Sequence, residues 1–400
     1  MRILFLSNRV PYPPTKGEKI RSYHEIAELS RRHEVHLVTM ADAGIDEESV
    51  AFLGKQCASV GVAYRSRYAA GFSAFGALTS GRPLSIAAFD SRSFRDLVVE
   101  RIRSTRPDIL FAYTAAVAPT LEGLSGTPRV IDFVDADSEK YRVYSRRRGF
   151  PQSLLYAFEA NRLARYEGRL ASEFDASIVV TAAEAEIVRR HSPSSHPVVL
   201  PNGVDLELFR PSPDAERPPK PNIVFTGVMG YYPNVDAVTY FARDVMPHLR
   251  AQVPEAQFLI VGRDPVGAVR RLADLPGVVV TGTVPDVRPY LADAALAVAP
   301  FRIARGVQNK VLEAMASGLP VVGTSLAFQG LAASAADGVR MADSPDTLAT
   351  AVATLLRNEG ERRECGRHAR LFVERHHHWG RFGEKLEGLL TDLVARRSVR

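Results

Sequence analysis

Little in this chain of 400 residues invites redox or metal chemistry. Only two cysteines occur, Cys57 and Cys365, and neither has a partner at metal-ligand or redox-motif spacing, so both read as ordinary part-buried thiols. Three consecutive histidines at 376–378 cannot all point at one ion from a single strand or helix, and they are not read as ligands. No stretch approaches the ~20 apolar residues of a membrane span. The apolar opening at 2–6 is too short for a signal peptide and is interrupted by Asn8-Arg9, which leads to the expectation of a cytoplasmic protein. Neither half contains GxGxxG, so a nicotinamide dinucleotide is not indicated, and no GxSxG nucleophile elbow occurs. Helix-turn-helix, zinc-finger and RNP-like patterns are missing too, so nucleic acid is not expected as a partner despite a net charge of +6.

What is present describes a soluble globular protein, 46% hydrophobic and 24% charged with no long polar tract. The length exceeds what one core organises, and two domains of roughly 200 residues each are expected. Basic residues crowd between Tyr141 and Leu170, where Arg142, Arg146, Arg147, Arg148, Arg162, Arg165 and Arg169 interleave with Tyr144, Phe150, Leu154, Leu155, Tyr156, Phe158 and Tyr166. Two readings stay open for this segment: peripheral contact with an anionic membrane surface, or a solvated basic helix whose aromatics face its own core.

Apolar runs and helical periodicities alternate along the chain. An apolar run at 2–7 and a proline-containing loop precede a helical pattern at 18–33 and a strand at 34–39. Helices at 46–57 and 93–103 alternate with strands at 60–64, 109–112 and 130–134, which is the pattern of a parallel, doubly wound sheet. A long helical region at 153–173, a strand at 177–181, a helix at 183–190 and a strand at 197–201 complete it. Composition then changes at the Asn202-Gly203 turn, and the proline-rich segment 211–221 suits neither helix nor central strand, marking a boundary. Alternation restarts with strands at 222–227, 257–262 and 278–282, a helix at 234–250, and closing helices at 345–357 and 360–376. The domains read as 1–203 and 204–380, with an amphipathic helix at 381–397 completing the first.

The most informative stretch is 304–323, ARGVQNKVLEAMASGLPVVG, set between the apolar runs 295–300 and 320–323. On a helix opening near Val307, the side chains of Asn309, Lys310 and Glu313 share a face close to the amino-terminal end. Gly306 precedes them without a side chain. Free N–H groups at a helix start, the helix dipole and a nearby lysine suit a phosphate, and a carboxylate one turn on suits ribose hydroxyls. A plain amphipathic crossover helix with a wet polar face is the competing reading. Three strands here end in glycine, Gly227, Gly262 and Gly282, and Gly227 with Val228-Met-Gly230 is read as bringing backbone donors beside that helix.

Together, the two Rossmann-like halves, the junction Pro201-Asn-Gly-Val-Asp205 with Phe209 and Pro211, and GxxNKxxEAMAxGxPVV at 306–322 resemble the retaining, nucleotide-sugar-dependent glycosyltransferases of the GT-B fold, group 4. The loop 8–21 with Gly17, the segment DFVDADSEKY at 132–141 and RIARGVQNKVLEAMA at 302–316 resemble in particular the sugar transferases associated with exosortase and PEP-CTERM exopolysaccharide systems. The resemblance implies an α/β GT-B fold, two Rossmann-like domains facing a cleft that closes about Asn202-Gly203. An NDP-sugar donor would bind the second domain, and a glycan or polyprenyl-diphosphate-linked acceptor the first, with no metal cofactor. Glu313 matches the second glutamate of the family's E-x7-E element, whereas Arg305 stands at the first. The family's Arg and Lys pair is absent between Gly227 and Val238, which leaves Lys310, Gly306 and the backbone at 227–230 to meet the diphosphate, with Arg263 or Arg302.

The implied donor site comprises Gly17, Gly227, Val228, Gly262, Arg263, Arg305, Gly306, Val307, Gln308, Asn309, Lys310 and Glu313. Asp135-Ala-Asp137 is a DxD triplet, which in single-domain glycosyltransferases holds a divalent ion. Here Asp135 and Asp137 are read as carboxylates lining the acceptor side, or alternatively as helix-capping residues. With Lys310 and Glu313 they form the expected catalytic set. A UDP-sugar 2-epimerase and a non-catalytic sugar-nucleotide-binding module remain as other readings.

Overall fold

The computed structural model describes every residue except 16, 43–46, 66–81, 212–220 and 399–400. The chain divides into two compact units, Met1–Pro201 with Phe382–Arg400, and Asn202–Arg381. The division falls between Pro201 and Asn202, ahead of the proline-rich segment, which lies almost wholly outside the described residues, as do Lys16 in the expected first loop and Asp46 at an expected helix start.

The first unit is built on strands β1 (Arg2–Ser7), β2 (Glu34–Asp42), β3 (Ser59–Arg65), β4 (Ile109–Tyr113), β5 (Arg129–Val134), β6 (Ala176–Val179) and β7 (Val198–Val199). They form one parallel sheet in the order β3-β2-β1-β4-β5-β6-β7. Continuous apolar strands suit a parallel sheet covered on both faces. Accordingly Ile3, Leu4, Phe5 and Leu6 are fully buried, and Phe5 stacks on Phe111 of β4 with ring centroids 4.8 Å apart.

The second unit repeats the plan with β8 (Asn222–Thr226), β9 (Gln257–Val261), β10 (Val278–Gly282), β11 (Leu296–Ala299), β12 (Val321–Gly323) and β13 (Val339–Met341), parallel in the order β10-β9-β8-β11-β12-β13. In each sheet the chain winds outward from the first strand and then returns to its other side. The switch points therefore lie between β1 and β4 and between β8 and β11, where open α/β sheets bind ligands at their carboxyl edge.

Three elements depart from the sequence reading. The helix expected over 234–250 is Tyr232–Tyr240, a π turn at Phe241–Val245, and Met246–Gln252. Pro247 has no N–H to offer the carbonyl four residues back, and a wider turn just upstream accommodates that loss. Strand β13 had no clear signal, because only Val339 in it is buried. The helical character noted near Asp137 is a full helix, Asp137–Arg147, that pairs with Gln152–Glu173 as a hairpin.

One buried ionic cluster ties the first unit together. Arg21, on the helix Gly17–Ser30, is fully buried. Its Nε and Nη2 donate to Asp132 Oδ2 of β5 at 2.8 and 2.6 Å, its Nη1 donates to the Leu200 carbonyl at 2.8 Å, and its guanidinium lies over the Phe382 ring at 4.9 Å. Glu25, one turn along, is buried too, with Oε1 3.3 Å from Arg21 Nε. A single cation cannot neutralise two carboxylates. Burial, followed by the charge of Asp132, pushes the Glu25 carboxyl well above its ordinary value of 4.5 against the pull of Arg21. Glu25 is thus biased toward its neutral acid form, and Asp132 takes the guanidinium.

Two outcomes follow from this cluster. A carboxyl whose folded pKa is raised adds stability that is complete below its unfolded pKa and is lost as pH rises toward the folded one. Glu25→Gln should therefore fold, and thermal melts of this variant should show less loss of stability with rising pH than the parent. Arg21→Met leaves Asp132 buried without its cation and should lower stability by about 3–5 kcal/mol.

Candidate active site

The second unit's switch point holds the side chains that the sequence singles out. Strand β8 ends at Thr226, and Gly227 follows with φ 156°. A Cβ there would meet Asn234 Nδ2 at 2.8 Å and Lys310 Nζ at 3.0 Å. At the end of the neighbouring strand, Gly262 has φ 147°, and a Cβ on it would sit 1.7 Å from the Gly227 carbonyl oxygen. Only glycine permits that approach of two strand ends.

Lys310 reaches this point from the helix Asn309–Ala316, which begins two residues later than the sequence suggests. Its Nζ donates to Asn234 Oδ1 at 2.5 Å and lies over the rings of Phe225 and Phe301, 4.7 and 5.1 Å from their centroids. The Asn234 amide is oriented for this by its Nδ2, which donates to the Val228 carbonyl at 2.9 Å. Burial lowers the Lys310 pKa to about 7, opposed by the Glu313 charge. Burial likewise raises Glu313 to about 7, opposed by Lys310. The start of the helix has no side-chain cap, since Gln308 turns its Nε2 to the Arg305 carbonyl at 2.7 Å.

A chain of hydrogen bonds fixes that start. Asn202 Nδ2 donates to Asn309 Oδ1 at 2.9 Å, and the Asn202 carbonyl accepts from His377 Nδ1 at 2.8 Å. A carbonyl can only accept, so Nδ1 carries the proton. Burial lowers the His377 pKa to about 4 and keeps the ring neutral. The histidine run thus supplies a brace for the Pro201-Asn202-Gly203 turn.

The arrangement brings some of the expected residues together and leaves others engaged elsewhere. Gly227, Asn309, Lys310 and Glu313 gather in one place, with Gly306 at φ 60° and Val307 on the loop leading in. Two of the backbone donors expected over 227–230 are already engaged: Gly227 N–H donates to the Val261 carbonyl at 3.0 Å and Met229 N–H to the Arg263 carbonyl at 2.7 Å. The role expected of Gly262 as an opening for ligand is filled by the Gly227 backbone. Arg302 is committed to Asp236 at 3.0 and 2.6 Å and stacks on Tyr240, and Arg263 lies 3.9 Å from Asp264. Asn234 was read only as a helix start. Its signal was positional: an amide at the start of a helix soon after a glycine-ended strand.

The remaining expected residues belong to the first unit. Gly17 heads the helix that carries Arg21. Asp135 and Asp137 follow β5, but the side chain of neither caps the helix Asp137–Arg147. Glu167 does so, accepting from Ser138 N–H at 3.1 Å, and Glu184 accepts from Ala136 N–H at 2.7 Å. Asp137 is exposed and forms a 3.4 Å pair with Lys140. Two β-branched residues just above this sheet edge, Thr114 after β4 and Val134 at the end of β5, have φ of 69° and 64°. Such strain persists where the surroundings over-determine it, and it concentrates at functional sites.

Residues 21–208 match the family described as Glycosyltransferase Family 4, and residues 220–358 match Glycosyl transferases group 1. The protein is a glycosyltransferase of the group 1 type. The fold of this transferase is shared by the sucrose-phosphate synthase of Thermosynechococcus elongatus, at 17% identity and a TM-score of 0.74 over 99% of this chain and 100% of that one. It is shared also by HepE of Anabaena in complex with UDP, at 15% identity and 0.67 over 98% and 100%. WaaG, a glycosyltransferase involved in lipopolysaccharide biosynthesis, matches at 17% identity and 0.65 over 98% and 99%. Similarity at these identities shows the GT-B fold. No curated protein matches the sequence significantly.

The Lys310–Glu313 pair gives the site of this transferase a definite pH response. Burial moves the two groups toward neutrality from opposite sides, so the pair becomes more positive as pH falls through about 7. Affinity for inorganic pyrophosphate, measured by titration calorimetry, should therefore rise as pH falls from roughly 8 to roughly 6. Lys310→Met should flatten that dependence and weaken binding.

Proposed function

We propose that the transferase moves a sugar from an NDP-sugar, with retention at the anomeric carbon, to a hydroxyl of a glycan or polyprenyl-diphosphate-linked acceptor in exopolysaccharide assembly. The observation that carries this reading is the Lys310 ammonium held by Asn234 at the end of β8, with Glu313 one turn along the same helix. HepE has been solved with UDP and with UDP-glucose, which supports a uridine nucleotide as the first donor to try. The sequence elements at 8–21, 132–141 and 302–316 support the exopolysaccharide context.

In this reading the C1–O bond to the diphosphate breaks while the acceptor oxygen bonds C1 on the same face. The acceptor's proton passes to an oxygen of the departing phosphate, so no protein nucleophile is required. Lys310 and the uncapped start of its helix face the charge that develops on the leaving group, which is electrostatic stabilisation without a required metal. Glu313 accepts hydrogen bonds from the ribose hydroxyls. Asp135 and Asp137 serve the acceptor side.

The test is NDP release from a panel of NDP-sugars, with and without a polyprenyl-diphosphate-linked glycan. Acceptor-dependent release supports transfer; acceptor-free isomerisation of the sugar or binding alone refutes it. Glu313→Ala should lower donor affinity and turnover by roughly 10- to 100-fold. Undiminished transfer by that variant would remove Glu313 from the site.

A further inference from the structure

The basic, aromatic segment that the sequence left with two readings divides in the structure. Tyr141, Tyr144 and Tyr156 pack on one another with ring centroids 5.7 to 6.3 Å apart, and Tyr166 is buried. These aromatics belong to the hairpin's interior. Another group faces solvent: Phe150 is 83% exposed, Leu154 63%, Leu155 51% and Phe158 44%. All four lie at or just beyond the turn joining Asp137–Arg147 to Gln152–Glu173, and the last three share a helical face by their spacing. Arg146, Arg147 and Arg148, also exposed, occupy the other side of the same turn. Residues 140–158 contain five basic side chains and no acidic one, and two of the five, Lys140 and Arg142, pair with Asp137 and Glu139 just before them.

The tip is held in this form from behind. Glu159, buried, accepts from the backbone N–H groups of Leu84 and Ser85, each at 2.8 Å, and from Ser85 Oγ at 2.7 Å. Arg162 donates to the Arg82 carbonyl at 3.1 Å and covers the inner part of the exposed face with its guanidinium 4.1 Å from the Phe158 ring centroid. The apolar side chains beyond it therefore project from a braced hairpin.

We infer that this tip docks the protein on an anionic lipid surface, with Phe150, Leu154 and Leu155 entering the headgroup boundary and Arg146–Arg148 pairing with lipid phosphates. Stable attachment to a bilayer needs two signals, and here a short apolar insertion is joined to a polybasic cluster. Guanidinium groups match phosphate oxygens in bidentate geometry. The inference does not depend on the donor chemistry proposed above, and its test does not use it.

Purified full-length protein is co-sedimented with vesicles of equimolar phosphatidylglycerol and phosphatidylcholine, and with vesicles of phosphatidylcholine alone. The parent should bind the anionic vesicles and not the neutral ones, with binding falling as salt is raised. Arg146→Gln/Arg147→Gln/Arg148→Gln should lower partitioning roughly 100-fold, at about a fourfold to sixfold loss per arginine. Phe150→Ser/Leu154→Gln/Leu155→Gln should lower it at least as much. Circular dichroism checks folding, and if a triple variant loses its helical signal the single Phe150→Ser repeats the comparison. Absence of parent binding to anionic vesicles, equal binding by the variants, or a vesicle-free dimer abolished by the apolar substitutions would each overturn the inference.

Discussion

A lysine ammonium set over two adjoining phenylalanine rings is costly to keep charged unless something nearby repays its lost hydration. Lys310 has one hydrogen bond to an uncharged amide, two ring faces, and a glutamate that burial pushes toward its neutral form. These partners orient the ammonium without neutralising it. An anion with several oxygens would supply what they do not, and the carboxyl edge of β8 and β11 is where such a ligand fits in this type of sheet. Much of the second unit's local geometry serves that placement. Gly227 leaves room for Nζ, Gly262 lets the two strand ends close up, and Asn202 with His377 holds Asn309 at the start of the helix.

Arg21 in the first unit shows the opposite solution to the same physical problem. Its guanidinium cannot shed its charge, so every face of it is engaged, by Asp132, the Leu200 carbonyl and the Phe382 ring. The second carboxylate is met differently, by the upward shift that burial and Asp132 impose on Glu25. A cation so fully satisfied is structural. It fastens the start of the Gly17–Ser30 helix to β5, at the edge where Thr114 and Val134 are strained. Residue type separates the two cases: a lysine whose charge burial weakens, and an arginine whose charge is locked.

Elements with purely local causes were legible in the sequence. Runs such as 2–6 and 222–226 are apolar enough to read as buried strands, and the stretch 304–323 carries its strand, loop, helix and strand in consecutive residues. What escaped reading depends on partners far along the chain. Asp236 claims Arg302 from 66 residues away, and Lys310 finds Asn234 across 76. Neither pairing has a periodicity to betray it. The backbone donors after Gly227 looked available because a sequence does not show that β9 and the loop after it take two of them. Short β13 and the π turn at Phe241–Val245 fail for another reason, since each is imposed by its surroundings against a weak local signal.

The charge of the chain also acquires a location. A net charge of +6 could suggest a strongly basic ligand site, yet the switch point of the second unit brings together one lysine and one glutamate. Residues 140–158 alone carry five more cations than anions, nearly the whole excess. Solubility alone does not call for that concentration, because charges dispersed over the surface would serve as well. Nor does hairpin stability, since like charges on neighbouring turns repel. Of the five, Lys140 and Arg142 pair with Asp137 and Glu139, so what is concentrated at the tip is Arg146, Arg147 and Arg148 beside the exposed Phe150, Leu154 and Leu155, the juxtaposition from which docking on an anionic surface is inferred.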